Sequence, residues 1–296
     1  MKRIDADFFS RGLKCAGWLF LPEDAPKPPV VLMAHGFGAE RSFRLPAFAE
    51  KFCGHGLAAF VFDYRNFGDS EGEPRNLISP KRHLEDWQAA LEHVQKLPEV
   101  DSRRVALWGS SFSGGHVLVM AAQTPGIRAV VAQVPFVDGL ATSLLYSWPF
   151  IFKATGHALV DVLKSLFFLP PHNVPIVGEP DQFALMNTPE CMPGVLSILP
   201  ANYVLKNFAP ARIALTLPFY RPIKSVSRIN CPVLLLIAEK DSLIPPQAVR
   251  KTAALIKNSR TINLSAGHFE VYTGELFEKM SRLQAEFLKE HLNRAS

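Results

Sequence analysis

Two kinds of hydrophobic pattern alternate along this chain. Uninterrupted apolar runs at residues 30–34 and 57–62 have the length and continuity of strands buried on both faces. Elsewhere apolar positions recur every three or four residues, first through Phe48, Ala49 and Phe52, closing at Gly54 and Gly56, and then through Leu84, Trp87, Leu91 and Val94. The second of these sets predicts a helix that Ser79 caps and Pro80 opens. The alternation continues with a strand ending at Gly109, a helix over 117–123 and a strand over 127–134. Ahead of it, the β-rich runs 2–9 and 13–21, joined at Ser10-Arg11-Gly12, predict an antiparallel hairpin. Strands that alternate with helices in this way build right-handed βαβ units and a parallel sheet with helices on both faces.

The alternation stops after Asp138-Gly139. The stretch 139–222 holds nearly half of the 24 prolines, yet it is too apolar to be disordered. Lys153, Asp161, Lys164 and Pro149 interrupt its most apolar part, which argues against a membrane span. Within it, Leu159, Val162, Leu163, Leu166 and Phe167 repeat at helical spacing, as one face of an amphipathic helix does. From residue 223 onward the pattern resumes with an apolar strand over 233–238, a helix opened by Pro245 and Pro246 and running through Ile256, a short strand over 261–264 and a closing helix over 274–292. The expected organisation is an α/β core made of residues 1–138 and 223–296, with 139–222 inserted as a cap over the strand ends.

Composition narrows the choice of partners. With 296 residues, 48% of them hydrophobic, the chain can bury one large core. The net charge of +5 comes from scattered Lys and Arg with no basic run, so no nucleic-acid partner is expected. Cys15, Cys53, Cys191 and Cys231 lie far apart without C-x-x-C spacing or a His cluster, as structural thiols of a reducing compartment do. Asp5 and Asp7 stand where a signal peptide needs its apolar run, which points to a cytoplasmic protein. Neither a metal-ligand cluster nor a dinucleotide fingerprint is found, so no metal and no organic cofactor is expected.

The chemistry gathers at the ends of the predicted strands, where ligands of parallel sheets bind. The central one passes through Trp108-Gly109-Ser110-Ser111-Phe112-Ser113-Gly114-Gly115-His116, a crowd of small residues between strand and helix. Ser111 stands at the apex of what reads as a nucleophile elbow. The pattern G-x-S-x-G is met with Ser113 in its last place, a residue small enough for the turn. A serine hydroxyl needs a base within hydrogen-bond reach, and that base needs a partner to fix its tautomer. Asp241 and His268 follow the strands 233–238 and 261–264, in the order Ser, acid, His. Asp138, after the strand 127–134, is the alternative acid; its other role is to anchor the start of the insertion. The backbone N–H groups of Phe37 and Phe112 stand where an oxyanion formed on attack needs donors.

With His35-Gly36-Phe37-Gly38, Asp63-Tyr64-Arg65-Asn66-Phe67-Gly68-Asp69-Ser70, the elbow, Ala238-Glu239-Lys240-Asp241 and Gly267-His268 in register, the whole chain resembles the α/β-hydrolase superfamily. The resemblance implies the α/β-hydrolase fold, with a mostly parallel eight-stranded sheet, helices on both faces and an inserted cap. Asn66 stands where Gly is usual, and Asn tolerates a positive φ. The elbow and the phrase Pro171-His172-Asn173-Val174-Pro175-Ile176-Val177-Gly178-Glu179-Pro180 are similar to a branch of dienelactone-hydrolase or X-prolyl-peptidase type that includes fungal polyketide transferases.

That likeness implies acyl transfer through Ser111. Dienelactone hydrolases proper use a Cys nucleophile, X-prolyl peptidases carry further domains, and a haloalkane dehalogenase needs Asp at this position, so none of the three fits. The expected activity is that of a serine hydrolase cleaving a carboxylic ester or related acyl bond of a fairly apolar small molecule, since an apolar cap would leave charged groups unsolvated. A thioesterase or acyltransferase with an alcohol acceptor uses the same residues and stays open. So does a catalytically silent ligand-binding protein of the same fold, against which the intact triad argues.

Overall fold

The computed structural model describes residues 1–23 and 25–294. Strands β1 (Lys2–Asp5), β2 (Phe8–Ser10), β3 (Leu13–Cys15) and β4 (Gly17–Leu21) form the expected hairpin, but each arm is broken in two. Arg11 at φ 50° and Gly12 at φ 80° make the tight turn between β2 and β3. The break lets the Phe8 ring reach the face of the main sheet, 6.0 Å from Phe60 and 5.5 Å from Phe62, while β1 and β4 stay paired with Lys2 opposite Leu21.

The core then alternates through β5 (Pro29–Ala34), α1 (Leu45–Gly54), β6 (Ala58–Phe62), α2 (Pro80–Val94), β7 (Asp101–Ser110), α3 (Phe112–Gln123) and β8 (Ala129–Gln133). The insertion holds α4 (Gly139–Ser143), α5 (Trp148–Leu166), β9 (Asn173–Val174), α6 (Cys191–Ile198), β10 (Ala209–Pro210) and α7 (Ile213–Thr216). After it come β11 (Val233–Ala238), α8 (Pro246–Leu255), β12 (Ser259–Leu264) and α9 (Gly274–Asn293). Eight strands form one sheet in the order β1-β4-β6-β5-β7-β8-β11-β12. The β1–β4 and β4–β6 pairs are antiparallel and all others parallel. This is the α/β-hydrolase fold that the sequence implied.

Successive side chains of the buried strands feed two separate cores. Leu32, Phe62, Leu107 and Leu235 pack against Trp87, Leu91 and Val117 of α2 and α3. Met33, Val61, Trp108 and Leu236 pack against Phe48 and Phe52 of α1 and Phe277 and Leu288 of α9. Strands β5, β6, β8 and β11 are buried along their whole length, which explains their uninterrupted apolar sequence.

The parallel register levels the strand ends that matter. Ala34 pairs with Gly109, Ser110 with Gln133 and Ala238 with Leu264, so the residues after β5, β7, β8, β11 and β12 emerge together. An ion pair fixes the first of these loops. The Arg41 backbone N–H donates to Asp63 Oδ1 at 2.6 Å, and its guanidinium donates to Asp63 Oδ2. Both side chains are buried.

The apolar stripe of the insertion lies on its solvent side. Leu159, Leu163 and Leu166 lie on one side of α5, as the spacing predicts, with Phe167 just past its end; these four point to solvent with exposures of 50–72%, Val162 is half-buried, and the helix buries Ala154, Ala158 and Asp161. Asp161 accepts from His172 N–H and binds the Arg212 guanidinium, which ties α5 down through its polar side.

Replacing Asp63 by Ala would leave the buried Arg41 guanidinium with only the exposed Asp69 carboxylate as its ion-pair partner, at a cost of about 3 kcal/mol. Urea unfolding of Asp63→Ala against the parent measures this; a loss under about 1 kcal/mol would contradict the role given to the pair.

Candidate active site

Ser111 sits between β7 and α3 with φ 56° and ψ −123°, outside the regions a non-glycine residue occupies without cost. Its backbone is clamped on both sides. The Ser111 N–H donates to the Gln133 carbonyl at 2.9 Å, and the Ser111 carbonyl accepts from Phe136 N–H at 2.9 Å. Two glycines make room for it: a Cβ on Gly36 would lie 3.0 Å from Ser111 Cβ, and one on Gly109 only 2.3 Å from the Ser113 carbonyl oxygen. Ser113 in the last elbow position has its own use. Its buried hydroxyl pairs with Tyr64 Oη at 3.0 Å, and the Trp87 indole N–H donates to the same Tyr64 oxygen at 2.9 Å.

His268 and Asp241 reach Ser111 from the loops after β12 and β11. His268 Nε2 is 3.0 Å from Ser111 Oγ, and His268 Nδ1 is 2.7 Å from Asp241 Oδ2. The other Asp241 oxygen accepts from the N–H groups of Leu243 and Ile244, both at 2.8 Å, which aims the carboxylate. Burial disfavours charge on the His268 imidazole, but the Asp241 carboxylate, by its charge and its hydrogen bond, outweighs this and raises the pKa above the ordinary value. Such a trio can take a proton from the serine hydroxyl and hold it on an imidazolium beside a carboxylate.

Asp138, the alternative acid, is engaged elsewhere. Its carboxylate caps α4 through the N–H of Leu140 and forms a two-pronged ion pair with Arg221, both contacts at 2.7 Å. Burial alone would raise its pKa, and the Arg221 pair reverses this to a lowering. It anchors the start of the insertion.

The rings of Phe37 and Phe112 meet edge to face at 5.4 Å beside Ser111. Phe112 opens α3, so its N–H has no intrahelical carbonyl to bind. Among the described residues no acceptor takes the Phe37 N–H either. Two donors therefore stand free next to the hydroxyl.

Glu190, in the insertion just ahead of α6, carries a role that the sequence analysis did not find. Its Oε2 accepts from His268 N–H at 2.7 Å, and its Oε1 accepts from Ser242 N–H at 2.8 Å and from the Ser242 hydroxyl. One carboxylate thus ties the two loops that present Asp241 and His268. It lies in a stretch without periodicity, so no pattern marks it. A second tie links insertion and elbow, where His116 Nδ1 and Tyr220 Oη are 2.6 Å apart. Burial lowers the His116 pKa to about 3, so the ring is neutral near pH 7. Among the described residues no three His, Cys, Asp or Glu side chains gather to hold a metal.

Ser111 opens onto cavities on two sides. One, of about 60 Å³, is lined by Phe112, Thr142, Tyr146, Leu185 and Leu217 and leads to a larger one of about 260 Å³ that shares the last four of these residues. The other, of about 40 Å³, lies on the His268 side against Ile176, Val195, Ile198 and Phe269.

Residues 31–277 match the alpha/beta hydrolase family. The chain belongs to that family. This hydrolase is 40% identical to the quorum-quenching protein AidA of Acinetobacter baumannii over 286 residues, 97% of this chain and 94% of the other. It is 28% identical to the thiohydrolase aneE of Aspergillus aculeatus over 300 residues, 95% and 91% of the two chains. The polyketide transferase grgF of Penicillium sp. matches 47% of each chain at 33% identity. The crystal structure of the alpha/beta hydrolase GrgF from Penicillium sp. superposes with a TM-score of 0.84 at 25% identity, covering 99% of this hydrolase and all of that chain. The branch with polyketide transferases that the elbow and cap phrase indicated is therefore among its relatives.

The charge balance on His268 sets a pH dependence. A folded pKa above the unfolded one means that the His268–Asp241 pair stabilises fully below the unfolded value near 6.5 and loses this as pH rises through the raised folded value. Followed by NMR, the His268 ring should titrate above about 6.5 in the parent and fall below it in Asp241→Asn, where burial acts without the carboxylate. An unchanged midpoint would contradict the assignment.

Proposed function

We propose that this α/β hydrolase is a serine-dependent acyl hydrolase that cleaves a carboxylic ester or thioester carrying a fairly apolar acyl chain. The observation that carries the reading is His268 standing between Ser111 Oγ and Asp241 Oδ2, with one ring nitrogen turned to each. His268 Nε2 takes the Ser111 proton as Oγ bonds to the acyl carbon, and the carbonyl electron pair moves to an oxyanion held by the Phe37 and Phe112 N–H groups. The oxyanion collapses, the bond to the leaving oxygen or sulfur breaks, and the leaving group takes the proton from His268. A water then repeats the sequence on the acyl-enzyme, giving its proton to His268, and the acid leaves as Ser111 recovers its hydrogen. Asp241 holds the imidazole and its charge throughout.

The apolar cavities beyond Phe112 favour an uncharged chain, since a charged group there would go unsolvated. The thiohydrolase among the relatives fits an acyl bond to sulfur. A second reading, transfer of the acyl group to an alcohol, draws on the apolar walls of the smaller cavity on the His268 side, Ile176, Val195 and Ile198. A polyketide transferase among the relatives points the same way. Four free cysteines fit the reducing cytoplasm indicated by the sequence.

A fluorophosphonate should label Ser111, and p-nitrophenyl esters of rising acyl length should be turned over with an optimum at medium length. Ser111→Ala should lower turnover by about 10³-fold or more. Activity that survives Ser111→Ala but is lost in Ser113→Ala would sink the assignment. Products formed with a competing alcohol separate hydrolysis from transfer.

A further inference from the structure

The walls of the channel beyond Phe112 are apolar except for four hydroxyl-bearing side chains: Thr142, Ser143, Tyr146 and Thr155. Ser143 Oγ donates to the Gly139 carbonyl at 2.7 Å, and Tyr146 Oη donates to the Leu185 carbonyl at 3.3 Å. Thr155 is partly open to solvent. Thr142 differs from all three. Its residue is 7% exposed, its backbone N–H and carbonyl are both bonded within the α4 turn, and its Oγ1 has no hydrogen-bond partner.

A threonine in a helix ordinarily turns its hydroxyl back to the carbonyl four residues earlier. Here that carbonyl, on Asp138, accepts the Thr142 N–H at 3.0 Å and no bond from the hydroxyl. An unpartnered hydroxyl in an apolar wall is costly, and such groups are satisfied in nearly all proteins by protein, water or ligand. Thr142 lines both the cavity that contains Ser111 and the larger one beyond it, so a chain leaving the Ser111 acyl carbon along these cavities passes beside this residue.

We propose that Thr142 Oγ1 is a recognition site for an oxygen on the substrate's acyl chain, a hydroxyl or keto group a few bonds beyond the scissile carbonyl. A hydroxyl serves either kind, donating to a keto oxygen or accepting from a chain hydroxyl. The channel then selects an oxygenated acyl chain over a plain one of equal length, because a plain chain buries the Thr142 hydroxyl without a partner. This rests on the acyl-transfer reading of Ser111 and adds the class of acyl group to it.

N-acetylcysteamine thioesters of octanoate, 3-hydroxyoctanoate, 3-oxooctanoate and 5-hydroxyoctanoate test it. The parent enzyme should favour at least one oxygenated chain over octanoyl in kcat/KM by about tenfold, the worth of one neutral hydrogen bond. Thr142→Val should remove most of that preference and Thr142→Ser should keep it; Thr142→Ala replaces the valine variant if the latter fails to fold. A parent that turns over octanoyl thioester without favouring any oxygenated chain overturns the inference, as does a preference that survives the loss of the hydroxyl. Both results leave the role of Ser111 standing and assign no more than a water to Thr142. Absence of turnover on all four thioesters together with absence of fluorophosphonate labelling at Ser111 overturns both readings.

Discussion

A serine held at φ 56° is the constraint from which the site follows. An L-residue with a side chain adopts that conformation only where its surroundings over-determine it. Here the end of β8 does so, because the Gln133 carbonyl and the Phe136 N–H take both backbone polar groups of Ser111. Gln133 is in turn held from below. Its amide donates to Ser110 Oγ at 3.1 Å and its side-chain carbonyl accepts from Gln284, whose own oxygen accepts from the Trp108 indole. The buried polar ladder beneath the elbow thus connects the strand, its neighbour and the closing helix. The parallel register then brings three other strand ends to the same level, and Ser111, Asp241 and His268 need only short loops to meet.

What those loops must solve is electrostatic. An imidazole 2% exposed would shed its proton, and a lone buried carboxylate would be worse placed still. Paired, and with the Asp241 carboxylate fixed by two backbone N–H groups, they favour the charged imidazole. Glu190 extends the arrangement into the insertion. By binding Ser242 and the His268 backbone, it ties the position of this segment to that of His268.

Most of the core was legible in the sequence because burial on both faces leaves an unmistakable record. The runs ending at Ala34, Phe62 and Ala238 read as strands for the same reason that they lie in the middle of the sheet. Ser111 and Asp241 were legible because each follows such a run, whereas His268 follows the mostly exposed edge strand β12 and was marked by its order after the other two. The insertion hid more. Glu190 sits among irregular turns where no period applies, and the α5 stripe through Leu159 and Leu163 faces outward although apolar stripes ordinarily face the core. The sequence shows that a stripe exists; which side is buried was decided by Asp161, whose ion pair with Arg212 a linear pattern does not reveal. The broken N-terminal hairpin is similar, since only the packing of Phe8 against Phe60 and Phe62 requires the bend.

The central claim is that an acyl group passes through Ser111. Rapid-quench mass spectrometry of the protein mixed with octanoyl-N-acetylcysteamine tests this most directly. The account predicts an enzyme heavier by one octanoyl group less a hydrogen within the first turnover, with the added mass on the peptide carrying Ser111. Steady turnover without that adduct at any time, or an adduct on another residue such as Cys191, would contradict it.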